Sequence, residues 1–372
     1  DQVYAEGNAD YAGRTVFTGY RTNQKLTFMT DDNTTSYNIT QGLSYKNLEE
    51  HRYYSDEVTL PTTATEVTGN TISNPKQATF DRIRLSYGEI DSITDKDGNA
   101  LSANGATGTL SYSYTDAAGV TQTDGELKVT VYDTFEDWAK ASQTADNTYN
   151  ITDGEAVFIK ESGELILSSD ASSTIKSGKA SLDVNYTKTG FNKGELRPEY
   201  YYNCTNITDA ANPVEYIKFE NGKEIYQDIN YVVAANQTLT VNTQASAVFD
   251  ASIGRDVDAM IEAVKFAQDA NNKVEELEKM QKMQEYSSDD CQAALEDWIA
   301  AAKKERDYAD DNLQKLYNSY IGNFDDYLQK VNLANTDLGS KGQSLDLTKN
   351  RMANQQTTME ELKSTNEDRD LS

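Results

Sequence analysis

Large apolar side chains recur at every seventh position along the C-terminal part of the chain, and this repeat constrains the fold more than any other feature. A sustained seven-residue repeat is typical of helices that wrap left-handed around a partner helix. One helix from residue 311 to 366 would be about 84 Å long. A helix of that length cannot bury its apolar edge against a compact domain, so we expect it to pack on another long helix. The repeat, called the apolar column below, consists of Tyr317, Phe324, Val331, Leu338, Leu345, Met352 and Met359.

A second column of residues lies between the members of the apolar column. It is apolar at first and turns polar toward the C-terminus, and it consists of Leu313, Tyr320, Tyr327, Ala334, Lys341, Thr348, Gln355 and Leu362. The polar members indicate that packing loosens there or that a partner is missing. Gly339 and Gly342 each cost about 1 kcal/mol relative to alanine, and they predict a bend or a close approach. The pattern is compatible with an intramolecular bundle and with a rod-shaped assembly surface.

The first 213 residues have a different pattern and contain all four prolines. Polar and apolar residues alternate there, which predicts one hairpin from 109–114 and 127–131 and a second from 156–159 and 165–167. Another alternating strand is expected at 182–186. Residues 134–141 predict a short helix with Thr134 as its N-cap. We expect a β-rich or α+β region over residues 31–219.

After residue 230 the pattern changes from strands to helices. Residues 231–243 predict a strand pair with its turn at Asn236 and Gln237. From Asp256 to Ala267, and less regularly to Leu277, apolar residues mark one helical face. Residues 287–290, Ser-Ser-Asp-Asp, interrupt this pattern and offer N-caps for the next helix.

The chain carries 34 basic and 61 acidic residues, a net charge of −27. Such a field repels phosphate backbones and anionic lipid surfaces, so neither a nucleic acid nor a membrane is expected as a partner. No run approaches the roughly 18 apolar residues of a membrane span. No secretory signal segment precedes the first strands, and the chain begins at Asp1 without a methionine. We therefore interpret the sequence as a processed product or a fragment.

The residues that carry most enzyme and metal chemistry are scarce. Cys204 and Cys291 are too few for a disulfide scaffold and are expected to be free thiols. His51 is the single histidine, and its acidic neighbours are expected to raise its pKa. Residues 95–99, Asp-Lys-Asp-Gly-Asn, lack the glycine and glutamate positions of a calcium loop and predict a β-turn. We predict no enzyme activity, no cofactor, and no catalytic or metal-binding residue.

Four stretches of the chain carry a resemblance to a known family. They are YAGRTVFTGYRT at 11–22, GFNKGELRPEYYYNCT at 190–205, NQTLTVNTQ at 236–244 with VFD at 248–250 and IGRDVD at 253–258, and NRM at 350–352 with NEDRDL at 366–371. In these stretches the chain resembles the bacterial flagellin family, and within it the proteins of the hook–filament junction. The order of strands, outer β region, strand pair and long heptad helices agrees with that family.

The resemblance implies an α+β multidomain fold. Residues 1–30 with 220–372 would form a discontinuous inner domain of long antiparallel coiled-coil-like helices and short β-hairpins. Residues 31–219 would form an inserted, mainly-β, variable outer domain. The long N-terminal helices of the family are absent and the chain stops where its terminal helix should begin, so we expect a core fragment that is monomeric in solution.

The resemblance also implies a structural role outside the cell. The complete protein would leave through the flagellar export apparatus and form a ring of identical subunits between flagellin and another hook-associated protein. The apolar column would be its helix-packing seam. Two alternatives stay open: flagellin itself, and a secreted adhesin whose outer domain binds glycans or host protein on a helical stalk. In the adhesin, Tyr200, Tyr201 and Tyr202 would line a groove, although we expect them to be strand residues that pack on the domain interface.

Overall fold

The structure, a computed structural model, describes residues 2–11, 13–144, 147–226, 228–234 and 237–369, and within them the fold is α+β. The helices are α1 (Gln2–Glu6), α2 (Ala64–Gly69), α3 (Phe135–Ser142), α4 (Ser169–Ser177), α5 (Ile253–Lys282) and α6 (Asp289–Arg369). The strands are β1 (Asp10–Tyr11), β2 (Arg14–Thr15), β3 (Asp32–Ser44), β4 (Glu49–Ser55), β5 (Lys76–Arg84), β6 (Ser92–Thr94), β7 (Ala100–Leu101), β8 (Thr107–Thr115), β9 (Thr121–Tyr132), β10 (Glu155–Ile159), β11 (Glu164–Leu167), β12 (Ser181–Phe191), β13 (Asn203–Asn206), β14 (Val214–Tyr216), β15 (Phe219–Glu220), β16 (Lys223–Glu224), β17 (Asn230–Ala234) and β18 (Gln237–Thr240).

Twelve strands form one large mixed sheet in the order β14-β13-β3-β12-β8-β9-β10-β11-β5-β4, with β6 paired to β12 and β7 paired to β6. Strands β9 and β10 run parallel, and the other pairs are antiparallel. Three two-stranded sheets, β1–β2, β15–β16 and β17–β18, lie outside it.

Both predicted hairpins of the first region are confirmed as β8–β9 and β10–β11. The turn of the first is held by Asp116, whose carboxylate accepts from the backbone N–H groups of Ala118 at 2.9 Å and Val120 at 2.8 Å. The turn of the second needs Gly163, which has a φ of +64°. A Cβ at Gly163 would lie 2.0 Å from the carbonyl oxygen of Tyr87, so no other residue fits.

The core of the sheet follows the alternation of its strands. In β12 the predicted inward residues Leu182, Val184 and Tyr186 are buried, and their neighbours face outward. Strands β10 and β11 are buried on both faces because α3 covers the side away from the main core with Trp138, which is fully buried. The predicted cap of α3 is confirmed, since Asp137 N–H donates to Oγ1 of Thr134 at 3.2 Å.

Helices α5 and α6 run antiparallel and pack on each other along the length of α5. Small residues such as Ala267 and Ala309 are buried between them near the middle. Lys273 Nζ lies 2.6 Å from the buried carboxylate of Glu305. At one end Trp298 donates its indole N–H to the carbonyl of Val67 in α2 at 3.1 Å. The 81 residues of α6 give a length of about 120 Å.

The boundaries of the helical part refine the predictions from sequence. The predicted cap is confirmed at Ser288, whose Oγ accepts from the N–H of Cys291 at 3.3 Å. The helix that starts there continues without a break to Arg369, so the expected 311–366 helix is its later part. The prediction of a close approach at Gly339 and Gly342 is wrong, because no side chain or neighbouring element lies within 4 Å of a Cβ built at either position. In the predicted 236–237 turn, Asn236 lies outside the described residues.

Candidate assembly surface

Within the chain, α5 packs mainly on the second column, and Phe324 is the member of the apolar column that packs on the same clusters. Tyr320 is 2% exposed and lies in a cluster with Ala263 of α5. Leu313 of the same column is half-buried beside that cluster, and Tyr327 is half-buried where α5 begins. Where α5 lies beside α6, the second column therefore packs within the chain, as expected for an intramolecular bundle.

Most of the apolar column stays at the surface. Phe324 is the exception: it is half-buried, and its ring meets that of Tyr327 edge-on at 5.7 Å. The exposed fractions of the others rise from about two fifths to almost three quarters toward the C-terminus. They are 39% for Tyr317, 37% for Val331, 63% for Leu338, 45% for Leu345, 61% for Met352 and 73% for Met359.

The hairpin β17–β18 stands beside the last third of α6 and forms a groove with it. The groove has a volume of about 1080 Å³. Tyr231, Val232 and Val241 line one side, and Leu345 and Met352 of the apolar column line the other. The β17–β18 hairpin therefore adds a second exposed apolar surface beside the apolar column, although the two segments are far apart in sequence.

The N-terminal segment packs at the same end of the helical pair. Tyr4 donates its O–H to the carbonyl of Asp250 at 2.7 Å, just before α5 begins. Phe17 meets Phe249 edge-on at 5.2 Å. Residues 18 and 19 also contact the segment just after β18. Gly19 N–H donates to the carbonyl of Thr243 at 3.2 Å, and residues 18 and 244 form an isolated β-bridge.

Exposed large apolar side chains are concentrated at this end of the molecule. Among the described residues outside α5 and α6, all of them except Val120 and Met283 belong to residues 3–29 or 214–241. Most apolar residues of the large sheet, by contrast, lie in its own core, and Val214 of the edge strand β14 is an exposed exception. The members of the exposed set are Val3, Tyr11, Val16, Tyr20, Met29, Val214, Ile217, Phe219, Tyr226, Tyr231, Val232 and Val241.

A buried polar network joins the sheet to the helical pair. Arg82 Nε lies 2.8 Å from the carboxylate of Glu49, which also pairs with Arg84 and accepts from the O–H of Tyr320 at 3.3 Å. Burial alone would raise the pKa of Glu49, but the two guanidinium groups outweigh it and the pKa is lowered. Arg84 also reaches Asp256 at 2.5 Å, so charge pairs hold both elements together.

The predicted rise in the pKa of His51 is wrong. His51 lies in β4, and burial followed by the positive charges of Arg82 and Arg84 lowers its pKa well below the usual value. The acidic neighbour Glu49 cannot offset this because its charge is taken up by the same two arginines. His51 is therefore a neutral imidazole at physiological pH.

The three consecutive tyrosines do not form an open groove. Tyr200 and Tyr201 are 7% and 6% exposed, and Tyr202 is half-buried against Tyr87. Tyr201 donates its O–H to the carbonyl of Phe249 at 3.2 Å, so this segment packs against the start of the helical pair. The expectation that these tyrosines pack within the protein is confirmed, although residues 198–200 form a 3-10 turn and not a strand.

The remaining expectations concern metals, thiols and membranes. In the described ranges no group of three or more potential metal ligands is found. Residues 95–99 form the expected turn, in which Asp95 accepts from the N–H of Asn99 at 2.8 Å. Cys204 and Cys291 are free, as predicted, and both are buried. Each helix in the described part is too short or too polar to cross a membrane.

Sequence reasoning identified the apolar column but missed the β17–β18 groove and the Asp256 network, since neither has a local signal. Comparisons of the chain with protein-family models, with curated proteins and with solved structures returned no match. The features of the chain that bear on its function are therefore the exposed apolar surface and the sequence segments with a family resemblance.

Proposed function

We propose that the chain is part of a structural subunit of the bacterial flagellum at the hook–filament junction, without catalytic activity. The observation that carries this proposal is the exposure of six of the seven members of the apolar column, which extends over about 63 Å of α6. Monomeric soluble proteins rarely expose a long continuous apolar stripe unless it binds a partner. The seam residues are Tyr317, Phe324, Val331, Leu338, Leu345, Met352 and Met359.

The proposed inner domain consists of residues 1–30 and 220–372, with long helices that pack in a coiled-coil-like manner. Its support is the joining of the N-terminal segment to residues 243–253 and the exposed apolar residues collected there. The proposed inserted outer domain is 31–219. Two observations support it. The large sheet has its own core, and the segments that enter and leave this region lie side by side, since Phe28 N–H donates to the carbonyl of Glu195 at 2.9 Å.

In this proposal the subunit acts outside the cell after export through the flagellar channel. Copies would form a ring by side-by-side packing of the exposed seams, with flagellin on one side and another hook-associated protein on the other. The outer sheet would project from the tube wall. Its acidic surface would keep it soluble and discourage stray association.

A gene deletion in the source bacterium tests this role. Loss of the junction protein should leave hooks without filaments, seen by electron microscopy, while flagellin accumulates in the medium because it is still exported. Loss of flagellin itself would leave no flagellin in the medium. Normal filaments on the deletion strain would overturn both assignments. The adhesin alternative is not favoured, because the tyrosines that would line its groove are buried or half-buried.

A further inference from the structure

The dipeptide Asn-Gly occurs at two places in the chain, Asn104-Gly105 and Asn221-Gly222. In this dipeptide the asparagine side chain is lost most readily, because glycine has no Cβ to shield its backbone nitrogen from the asparagine amide. Both asparagines are exposed in the structure, so their contact with water does not distinguish them. The two sites differ in how firmly the reacting groups are held.

Asn221 and Gly222 form the turn of the small β15–β16 hairpin. Both have positive φ angles, +50° and +71°, as a type I′ turn requires. Among the described residues, neither the side chain of Asn221 nor the N–H of Gly222 has a hydrogen-bond partner. A Cβ built at Gly222 would have no atom beyond its chain neighbours within 4 Å. The reacting amide and the backbone nitrogen are therefore held only by the turn itself.

The hairpin that carries this turn is short and separate. Strands β15 and β16 have two residues each and lie outside the large sheet. A hairpin of this kind is at best marginally stable in water, so its turn opens at low cost in free energy. The base of the hairpin is fixed, since Ile225 N–H donates to the carbonyl of Lys218 at 2.8 Å. The tip can therefore open while the rest of the protein stays folded.

Asn104 is exposed as well, but its reacting groups are held by the large sheet. Gly105 N–H donates to the carbonyl of Val131 in β9 at 2.7 Å. The side-chain oxygen of Asn104 accepts from the N–H of Asp133 at 3.3 Å. Val131 is fully buried in the main core of the sheet. Freeing the nitrogen of Gly105 therefore means separating this loop from the end of a core strand.

We propose that Asn221 is the preferred site of spontaneous deamidation in the folded protein. Hydroxide removes the backbone proton of Gly222, and the nitrogen attacks the side-chain carbonyl carbon of Asn221. A succinimide ring forms as the new N–C bond replaces the C–N bond of the amide, and the amide nitrogen takes a proton from water and leaves as ammonia. Water then opens the ring at either carbonyl to give aspartate or isoaspartate. The net reaction consumes water, releases ammonia and regenerates hydroxide.

The product changes the charge and the shape of the hairpin tip. It adds a carboxylate beside Glu220, and this carboxylate is ionised at neutral pH. Isoaspartate also lengthens the main chain by one carbon, so the type I′ turn cannot close as before. Phe219 of the same hairpin is 39% exposed and belongs to the exposed apolar set described above. Deamidation therefore adds negative charge to that end of the molecule, whatever its role in assembly.

Ageing of the folded chain at mildly alkaline pH, followed by peptide mapping with mass spectrometry, tests the proposal. The peptides that contain Asn221 and Asn104 are compared for the mass gain that accompanies conversion of an amide to a carboxylate. Digestion with pepsin at acidic pH prevents conversion during the mapping. We expect Asn221 to convert at least about tenfold faster than Asn104. Equal rates, faster conversion of Asn104, or no conversion at Asn221 would overturn the proposal.

The same ageing in guanidinium chloride separates the effect of the fold from that of the dipeptide. Unfolding removes the bond between Gly105 and Val131, so the rate at Asn104 should rise toward the rate at Asn221. If the tenfold difference persisted in the denatured chain, sequence neighbours and not the fold would determine the preference, and the structural assignment would be wrong.

Two matched variants locate the reaction in the intact folded protein. Asn221→Gln should remove the fastest phase of mass gain, because a glutamine side chain would have to close a larger ring. Asn104→Gln, the same change in the other Asn-Gly pair, should keep that phase. Retention of the fastest phase in Asn221→Gln, or its loss in Asn104→Gln, would overturn the assignment. The result is independent of the assembly role, since neither residue belongs to the apolar column.

Discussion

Tyr327 donates its phenolic O–H to the carboxylate of Asp256 at 2.7 Å, and this bond joins the start of α5 to α6 across 71 residues of sequence. Asp256 is fully buried and also accepts from the side-chain amide of Asn323 at 3.0 Å. Its other oxygen pairs with Arg84 of the sheet. One carboxylate therefore determines how the sheet and the two long helices meet.

Replacing Asp256 by Asn should destabilise the protein strongly. The change leaves the buried guanidinium of Arg84 with less negative charge, and breaking a buried pair costs about 3–5 kcal/mol. Denaturation by urea, followed by circular dichroism, measures the free energy of unfolding. The control is Asp258→Asn, two residues away and exposed, which should change it by no more than about 0.5 kcal/mol. Similar losses for both variants would contradict the role given to Asp256.

Leu338→Glu should prevent assembly without unfolding the subunit. Leu338 is a member of the apolar column and is 63% exposed, so the isolated chain should keep its stability within about 0.5 kcal/mol. A charge there would have to be desolvated in any packed seam. The measurement is filament formation when the variant gene is returned to the deletion strain.

The matched control for that experiment is Leu347→Glu. Leu347 lies on the same helix, is 71% exposed and is outside the column. We expect this variant to restore filaments. If both variants restored filaments equally well, the apolar column would not be the assembly seam.

Stability should fall as the pH drops from about 7 to 5, through the single histidine. Because the folded-state pKa of His51 is lowered, the unfolded chain binds the proton first, below its ordinary pKa of about 6.5. The free energy of unfolding should therefore decrease with falling pH, by at most about 1.4 kcal/mol per pH unit. Urea titrations at several pH values measure the slope.

The variant His51→Gln should flatten this dependence, since the chain contains no other histidine. The acidic residues titrate mainly below this pH window and serve as the internal comparison. An unchanged slope in His51→Gln would show that the histidine titrates normally in the folded protein.

The two thiols should be unreactive in the folded protein. Cys204 is 4% and Cys291 is 5% exposed, and burial together with the charge of Glu199 raises the pKa of the Cys204 thiol. A thiol-reactive disulfide reagent should modify both only after denaturant is added. The variant Ser364→Cys provides an exposed thiol near the end of α6 and should react at once. Fast modification of Cys204 or Cys291 without denaturant would contradict their burial.

Predictions from local patterns succeeded where neighbours in sequence decide the structure. The hairpin turn at Asp116 and the caps at Thr134 and Ser288 involve bonds over two to four residues, so their residue types are sufficient to identify them. The seven-residue repeat predicted a long helix for the same reason. The prediction for His51 failed because it used sequence neighbours, whereas the groups that affect its pKa lie on the adjacent strand.

The sequence by itself determined the β-rich first part, the long helix with its apolar column, and the scarcity of catalytic and metal-binding residue types. Only the tertiary structure decided which of 61 acidic residues are buried, and that Glu49 and Asp256 meet side chains of α6. It also decided that α5 covers the first part of the second column together with Phe324 and leaves the rest of the apolar column exposed. The physical reason is that burial and pairing of charges depend on contacts between distant segments, and residue types in an acidic chain do not identify those partners.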